Sequence, residues 1–230
     1  MKFAVFDLDH TLLPIDSGDG WTRWLIKAAG MDAETMNARA QQYADAYAAG
    51  DFSADEFVRF QMGLLAQCTR ADLDRWLDEF INVCVRPNIR PEALALLESR
   101  RKAGFEPVLA SGTHRFVTTP IAKLFGINHL IGARPEETAG GEFTGGSVGS
   151  HSYQEGKCVL LREFLSDMEA RHGEKVSCIE AYSDSINDLP LLKFAAEKGS
   201  AVAVNPDPKL RKIAAERGWK VMDIFTEGDE

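Results

Sequence analysis

The sequence predicts an α/β fold: a doubly wound, mainly parallel sheet with an all-helical insertion after its first strand. Three observations carry this. Short apolar runs stop at acidic or hydroxyl-bearing loops, capped helical patterns alternate with those runs, and residues 15–85 show helical periodicity with no strand. Strands that alternate with helices pair in parallel, because each crossover needs a helix-length connection.

Lys2 to Phe6 is an apolar run halted by an acidic loop, which reads as a buried strand. Comparable runs are Pro107 to Ala110, ending at Ser111-Gly112-Thr113; Val176 to Ala181, ending near Asp184; and Ala201 to Val204, ending at Asn205-Pro206. Pro91 opens a helix carrying Leu94 and Leu97 and closed by Gly104. Phe116 to Phe125 is a helix followed by Gly126, and Asp207-Pro208 begins one ending near Gly218. A glycine-rich stretch, Ala139 to Gly149, reads as a small hairpin flap around Glu142-Phe143-Thr144.

Within the insertion, Ser53 and Glu56 form a capping-box pattern ahead of Phe57, Phe60 and Leu64 on one helical face. Thr69 caps a helix whose Leu73, Trp76, Leu77, Phe80, Ile81 and Cys84 repeat every three to four residues. That spacing reads as helix-bundle core. Asp16 to Gly20 and Arg86 to Pro91 are the expected hinges. The division is therefore 1–14 and 86–230 as core, with 15–85 inserted.

Composition narrows the function. The 230 residues carry 26 Lys+Arg against 35 Asp+Glu, a formal net charge of -9, which argues against nucleic acid or an anionic membrane as partner. Cys68, Cys84, Cys158 and Cys178 lie far apart with no zinc-like spacing, and read as free buried thiols of a reducing cytosol. No apolar stretch approaches the ~20 residues needed to span a bilayer. Asp7 and Asp9 break the N-terminal apolar run too early for a signal peptide, so a cytoplasmic protein is expected.

Four short segments carry chemistry. Asp7-Leu8-Asp9-His10-Thr11 follows the first strand, at the strand end where open α/β sheets bind ligands. An ionised Asp7 can attack phosphorus, and Asp9 can protonate the leaving alcohol and then activate water. Read alone, the segment also fits an acidic surface turn. Ser111-Gly112-Thr113 joins a strand to a helix, so its hydroxyl and N–H groups suit phosphate oxygens or a plain N-cap. Lys157 opens the helix running to about His172, where its charge opposes the macrodipole unless an anion sits beside it. Asp184-Ser185-Ile186-Asn187-Asp188 offers oxygen ligands to magnesium, with Asp7 and a carbonyl of the Asp9 loop completing the protein share.

The order of these segments resembles the haloacid dehalogenase superfamily of phosphohydrolases, whose four motifs are all present. The resemblance implies a Rossmann-like core with a helical cap, Asp7 as nucleophile and Asp9 as general acid/base. It implies Ser111, Gly112, Lys157 and Asn187 at the phosphate, Mg2+ held by Asp7, Asp9 and Asp184, and Asp188 in support. A cap between the first two motifs looks like the phosphoserine-phosphatase-like branch. Phe116 to Ala122 and Tyr182 to Leu192 are similar to bacterial histidinol-phosphatase-like members. Two departures stand against phosphoserine. Ser111-Gly112-Thr113-His114 replaces that branch's Ser-Gly-Gly, and Asp16 is the nearest counterpart of its amine-binding glutamate. Asp16 is thus a candidate for a substrate amine as well as for a hinge or N-cap. His10, His114 and His151 read as loop residues near the pocket.

The expected reaction is hydrolysis of a small phosphate ester, histidinol phosphate among the candidates. A phosphoserine phosphatase, a phosphotransferase and a non-enzymatic phospho-aspartate signalling module are the alternatives. Carbon–halogen hydrolysis needs neither Asp9 nor Asp184, and an ion pump needs membrane helices. The sequence leaves the leaving group and the oligomeric state open.

Overall fold

The computed structural model describes residues 1–49 and 53–225. Its centre is a six-stranded parallel sheet in the order β3-β2-β1-β6-β7-β8. The strands are β1 (Lys2–Phe6), β2 (Glu106–Ala110), β3 (His129–Ile131), β6 (Cys178–Ser183), β7 (Gly199–Val204) and β8 (Lys220–Met222). β1 lies between β2 and β6, with Phe3 to Phe6 wholly buried. A strand covered on both faces must be apolar throughout, which is why KFAVF shows no alternation. Strand order reverses beside β1, so the loops after β1, β2 and β6 open on one crevice.

Helices α5 (Pro91–Lys102), α6 (Arg115–Leu124), α7 (Glu155–His172), α8 (Leu189–Lys198) and α9 (Pro208–Arg217) cover the sheet. Two buried clusters hold them there. One joins Phe6, Leu97, Leu109 and Val117, and the other joins Phe3, Val5, Leu161, Leu192 and Leu210. α5 starts at Pro91 as expected, but it buries Ala93, Leu96 and Leu97 while Leu94 stands 41% exposed. Asp207 caps α9, its carboxylate accepting the N–H groups of Lys209 and Leu210.

Between β1 and α5 lie α1 (Ser17–Ala28), α2 (Ala33–Ala49), α3 (Ala54–Leu65) and α4 (Arg70–Phe80), with a π-helical turn at Ile81–Val85. The Ser53 and Thr69 side chains cap α3 and α4 as their patterns predict. Trp21 of α1, Phe80 of α4 and Phe116 of α6 meet edge to face. This apolar contact seats the helical segment on the sheet domain. One expected hinge differs: Ser17 to Gly20 form the first turn of α1, and Asp16 is its N-cap, accepting the Asp19 N–H at 2.8 Å. An Asp two residues ahead of a glycine reads equally as turn or cap, and here the cap forms.

The flap is a hairpin whose partner lies earlier than expected. β5 (Phe143–Val148) pairs antiparallel with β4 (Arg134–Glu137), and residues 138–142 make the turn. The four cysteines are free, but only Cys158 is buried; the others are half-buried. No helix among the described residues is long and apolar enough to cross a membrane.

Candidate active site

β1 delivers Asp7 to the crevice. The Asp7 N–H donates to the Tyr182 carbonyl of β6 at 2.9 Å, so the ladder runs one residue past Phe6 and fixes where the carboxylate stands. The Leu8 carbonyl then accepts from Thr11, Leu12 and Leu13, winding the chain into a tight turn. His10 tops the turn at φ 57 and is exposed. Asn205, also left-handed at φ 44, clamps the turn from the end of β7. Its amide donates to the His10 carbonyl at 2.9 Å, while its Oδ1 accepts from Ile224 and Phe225 beyond β8.

Lys157 is the third residue of α7 and is 4% exposed. Its ammonium lies 2.9 Å from Asp7 Oδ1 and 2.7 Å from Asp188 Oδ2. Asp188 Oδ2 also accepts from Ser183 Oγ at 2.8 Å. The close approach of α7 needs a glycine: a Cβ on Gly156 would stand 2.3 Å from the His151 carbonyl oxygen. Burial pulls the Lys157 pKa down, but Asp188 and Asp7 more than reverse this, so the ammonium stays charged.

Asp184 ends β6 and is held by Thr11, which donates to Oδ1 at 3.1 Å. Burial raises its carboxyl well above the ordinary range, and the charges of Asp7 and Asp188 add to this. Burial likewise raises Asp7, with Asp188 adding and Lys157 opposing. Asp9 binds across the crevice. Its Oδ1 accepts the Ser17 N–H of α1 at 2.7 Å, and its Oδ2 accepts from Thr113 Oγ1 at 3.1 Å. Burial, then Asp16 and Asp7, push its pKa to about 8.

These groups line a cavity of about 220 Å³. Asp7, Asp9, Gly112, Lys157, Asp184, Asn187, Asp188 and Asp16 all reach it. Ser111 does not; it is fully buried, and its Oγ accepts the Thr113 N–H at 3.0 Å, shaping the loop. Asn187 spans Gln154 and Ser185, accepting from one and donating to the other at 3.3 Å each. Of the three histidines only His10 lines the cavity. His151 accepts from Tyr153 N–H, and His114 is sealed inside with Nδ1 unpartnered among the described residues. Thr11, Thr113 and Ser183 are functional contacts that sequence reasoning left unassigned. Thr11 and Thr113 carried a signal, as members of the first and second motifs, whereas Ser183 carried none.

Among the described residues no three His, Cys, Asp or Glu side chains close into a metal cage. The donor set nevertheless suits magnesium. Asp7 and Asp184 are buried carboxylates that repel each other, which a divalent cation would relieve. Magnesium takes one or two protein carboxylates and fills its remaining positions with water and phosphate oxygens. Both Asp9 carboxylate oxygens already accept hydrogen bonds, so the Asp9 share falls to its main-chain carbonyl.

Comparison with known proteins agrees with this geometry. The haloacid dehalogenase-like hydrolase family matches residues 4–193. A histidinol-phosphatase from Neisseria meningitidis serogroup C (strain 8013) is 37% identical over 226 residues, 97% of this chain and 99% of that protein. A crystal structure of a protein of unknown function from Bordetella pertussis Tohama I aligns with a TM-score of 0.88 at 36% identity, covering 97% of this chain and 99% of that one. A phosphoserine phosphatase solved as an analogue of its phospho-aspartyl intermediate shares the fold, with a TM-score of 0.66 at 17% identity over 97% of this chain and 93% of that one. With the match running from β1 to within α8, this chain belongs to the haloacid dehalogenase-like hydrolases.

Proposed function

We propose that this haloacid dehalogenase-like phosphatase hydrolyses a small phosphomonoester through a phospho-aspartate on Asp7, with Mg2+ as cofactor. The observation that carries the reading is the buried Lys157 ammonium held between Asp7 and Asp188. A lysine this enclosed persists only with anionic partners, and its charge favours a phosphate brought to the Asp7 carboxylate.

In this reading Asp7 attacks phosphorus while Asp9, its pKa near 8, holds the proton that the departing alcohol takes. Asp9 then accepts a proton from the water that hydrolyses the acyl phosphate, returning Asp7 to its starting state. Gly112, Lys157 and Asn187 surround the phosphate, with Ser111 shaping their loop and Asp188 fixing Lys157. Asp7, Asp184 and the Asp9 carbonyl would hold the metal, which supplies charge neutralisation between phosphate and carboxylate. Residues 15–85 act as a cap that excludes bulk water from the core formed by 1–14 and 86–230. The protein acts in the cytoplasm, in keeping with its free thiols.

Histidinol phosphate is the first substrate to test, on the strength of the relative 37% identical to this chain. Phosphoserine is the second. The decisive experiment compares the wild type with Asp7→Asn in magnesium, on both esters and on an aryl phosphate. Multiple turnover by the wild type and none by the variant is expected. Wild-type rates in Asp7→Asn would overturn the covalent mechanism, and a single stoichiometric phosphorylation would point to a signalling module instead.

A further inference from the structure

The cavity has two walls of opposite character. Strand-end loops supply the ionic cluster around Lys157, whereas α1, α2 and α3 supply Asp16, Asp19, Tyr43, Phe57 and Gln61.

Gln61 is the informative residue. It is 3% exposed as a residue and lines the cavity, and its carboxamide is not among the polar groups sealed without a partner, so the amide opens on the cavity space. An amide that opens on a cavity without a side-chain partner inside the protein is free to donate to and accept from a ligand there. The nearby buried Thr22 is different, because its hydroxyl donates to the Gly18 carbonyl at 2.8 Å. Around the same cavity runs an aromatic strip. Tyr43 and Phe57 have ring centroids 5.3 Å apart, and Phe57 and Tyr153 meet edge to face at 5.8 Å. Flat groups pack well against such a strip.

Charge adds a third constraint. Lys157 is the one Lys or Arg among the residues lining the cavity, and two carboxylates already hold it. Asp16 makes the helical wall negative, while the charge of Asp19 is offset by Arg23 at 2.6 Å. A carboxylate on the alcohol part of the substrate would meet this wall with no counter-cation.

We infer that the helical wall selects esters whose alcohol carries a protonated amine and a flat hydrogen-bonding ring but no carboxylate, with Gln61 binding the ring. A carboxamide both donates and accepts, so it matches an imidazole in either tautomer. The inference rests on the phosphomonoesterase reading and narrows it towards esters like histidinol phosphate and away from phosphoserine.

The test measures kcat/KM in magnesium for p-nitrophenyl phosphate, phosphoethanolamine, phosphoserine and histidinol phosphate. Phosphoserine is phosphoethanolamine with one added carboxylate, so its kcat/KM should be lower by at least ~30-fold, and a smaller gap overturns the inference. Gln61→Met, of similar length but with no amide, should reduce the preference for histidinol phosphate over phosphoethanolamine by at least ~5-fold. A smaller reduction removes Gln61 from the account. The carboxylate comparison uses the wild type and so survives a variant that does not fold. Absence of turnover on all four esters, the aryl ester included, sinks the phosphomonoesterase reading and this inference with it. Turnover of the aryl ester with the wrong ratios sinks this inference alone.

Discussion

Thr11 grips Asp184 twice, its hydroxyl donating to Oδ1 at 3.1 Å and accepting the Asp184 main-chain N–H at 3.0 Å. One side chain thereby joins the loop after β1 to the loop after β6. Thr11→Val keeps the shape and removes both bonds, leaving an N–H and a carboxylate oxygen short of a partner. A loss of about 1–3 kcal/mol in urea denaturation is expected, with more magnesium needed for half-maximal activity. Thr11→Ser should restore both. An unchanged magnesium requirement in Thr11→Val would show that this pair does not orient Asp184.

Lys157→Met takes the ammonium from between Asp7 and Asp188 and leaves two buried carboxylates facing each other. A loss of about 3–5 kcal/mol at neutral pH and at least ~100-fold in kcat is expected. The sign of the pH effect is diagnostic. Without the cation the folded carboxyl pKa rises further above its unfolded value, so the folded state binds more protons. The variant's deficit relative to the wild type should therefore shrink as pH falls from neutral towards about 4, when denaturation midpoints of the two are compared at several pH values. A deficit relative to wild type that widens over that range would contradict the arrangement.

Gly18 sits where α1 meets the phosphate loop, and a Cβ there would lie 2.6 Å from Thr113 Oγ1. Gly18→Ala must push that hydroxyl away from Asp9, at about 1–3 kcal/mol. A fall in kcat of roughly tenfold is expected, read as a lost hydrogen bond that positions Asp9. In a Thr113→Ala background the same substitution should have little further effect. Additive losses around this double-mutant cycle would deny the contact.

His114 is sealed beneath the loop after β2, and burial lowers its pKa from 6.5 to about 4. Between those values the unfolded chain binds the extra proton, so stability falls as pH drops through this window. His114 contributes a slope of up to ~1.4 kcal/mol per pH unit there. His114→Gln should flatten the stability profile between pH 6.5 and 4, relative to wild type. An identical profile would mean that the imidazole reaches solvent in the native state.

The long central strands and the nucleophile loop were readable because apolar run, acidic stop and capped helix recur with little ambiguity. β3 and β8 were not, since three-residue edge strands carry too little pattern to register. The helix around Phe57 shows a subtler limit. Phe57, Phe60 and Leu64 share one helical face, but Phe60 and Leu64 enter the core while Phe57 lines the cavity. Periodicity reports which face is covered and cannot tell core from ligand wall. The same blindness hid Gln61, a polar residue on a buried stripe. Asp184 and Lys157 were legible as motif members, whereas the Thr113 contact with Asp9 depends on how the loops after β1 and β2 meet, which no local pattern encodes.

Asn205 links the turn that follows Asp7 to residues past the last strand. Damage at the tail is therefore felt in the loop after β1: a protease cut just after Met222 would free the Asn205 amide that steadies the His10 carbonyl.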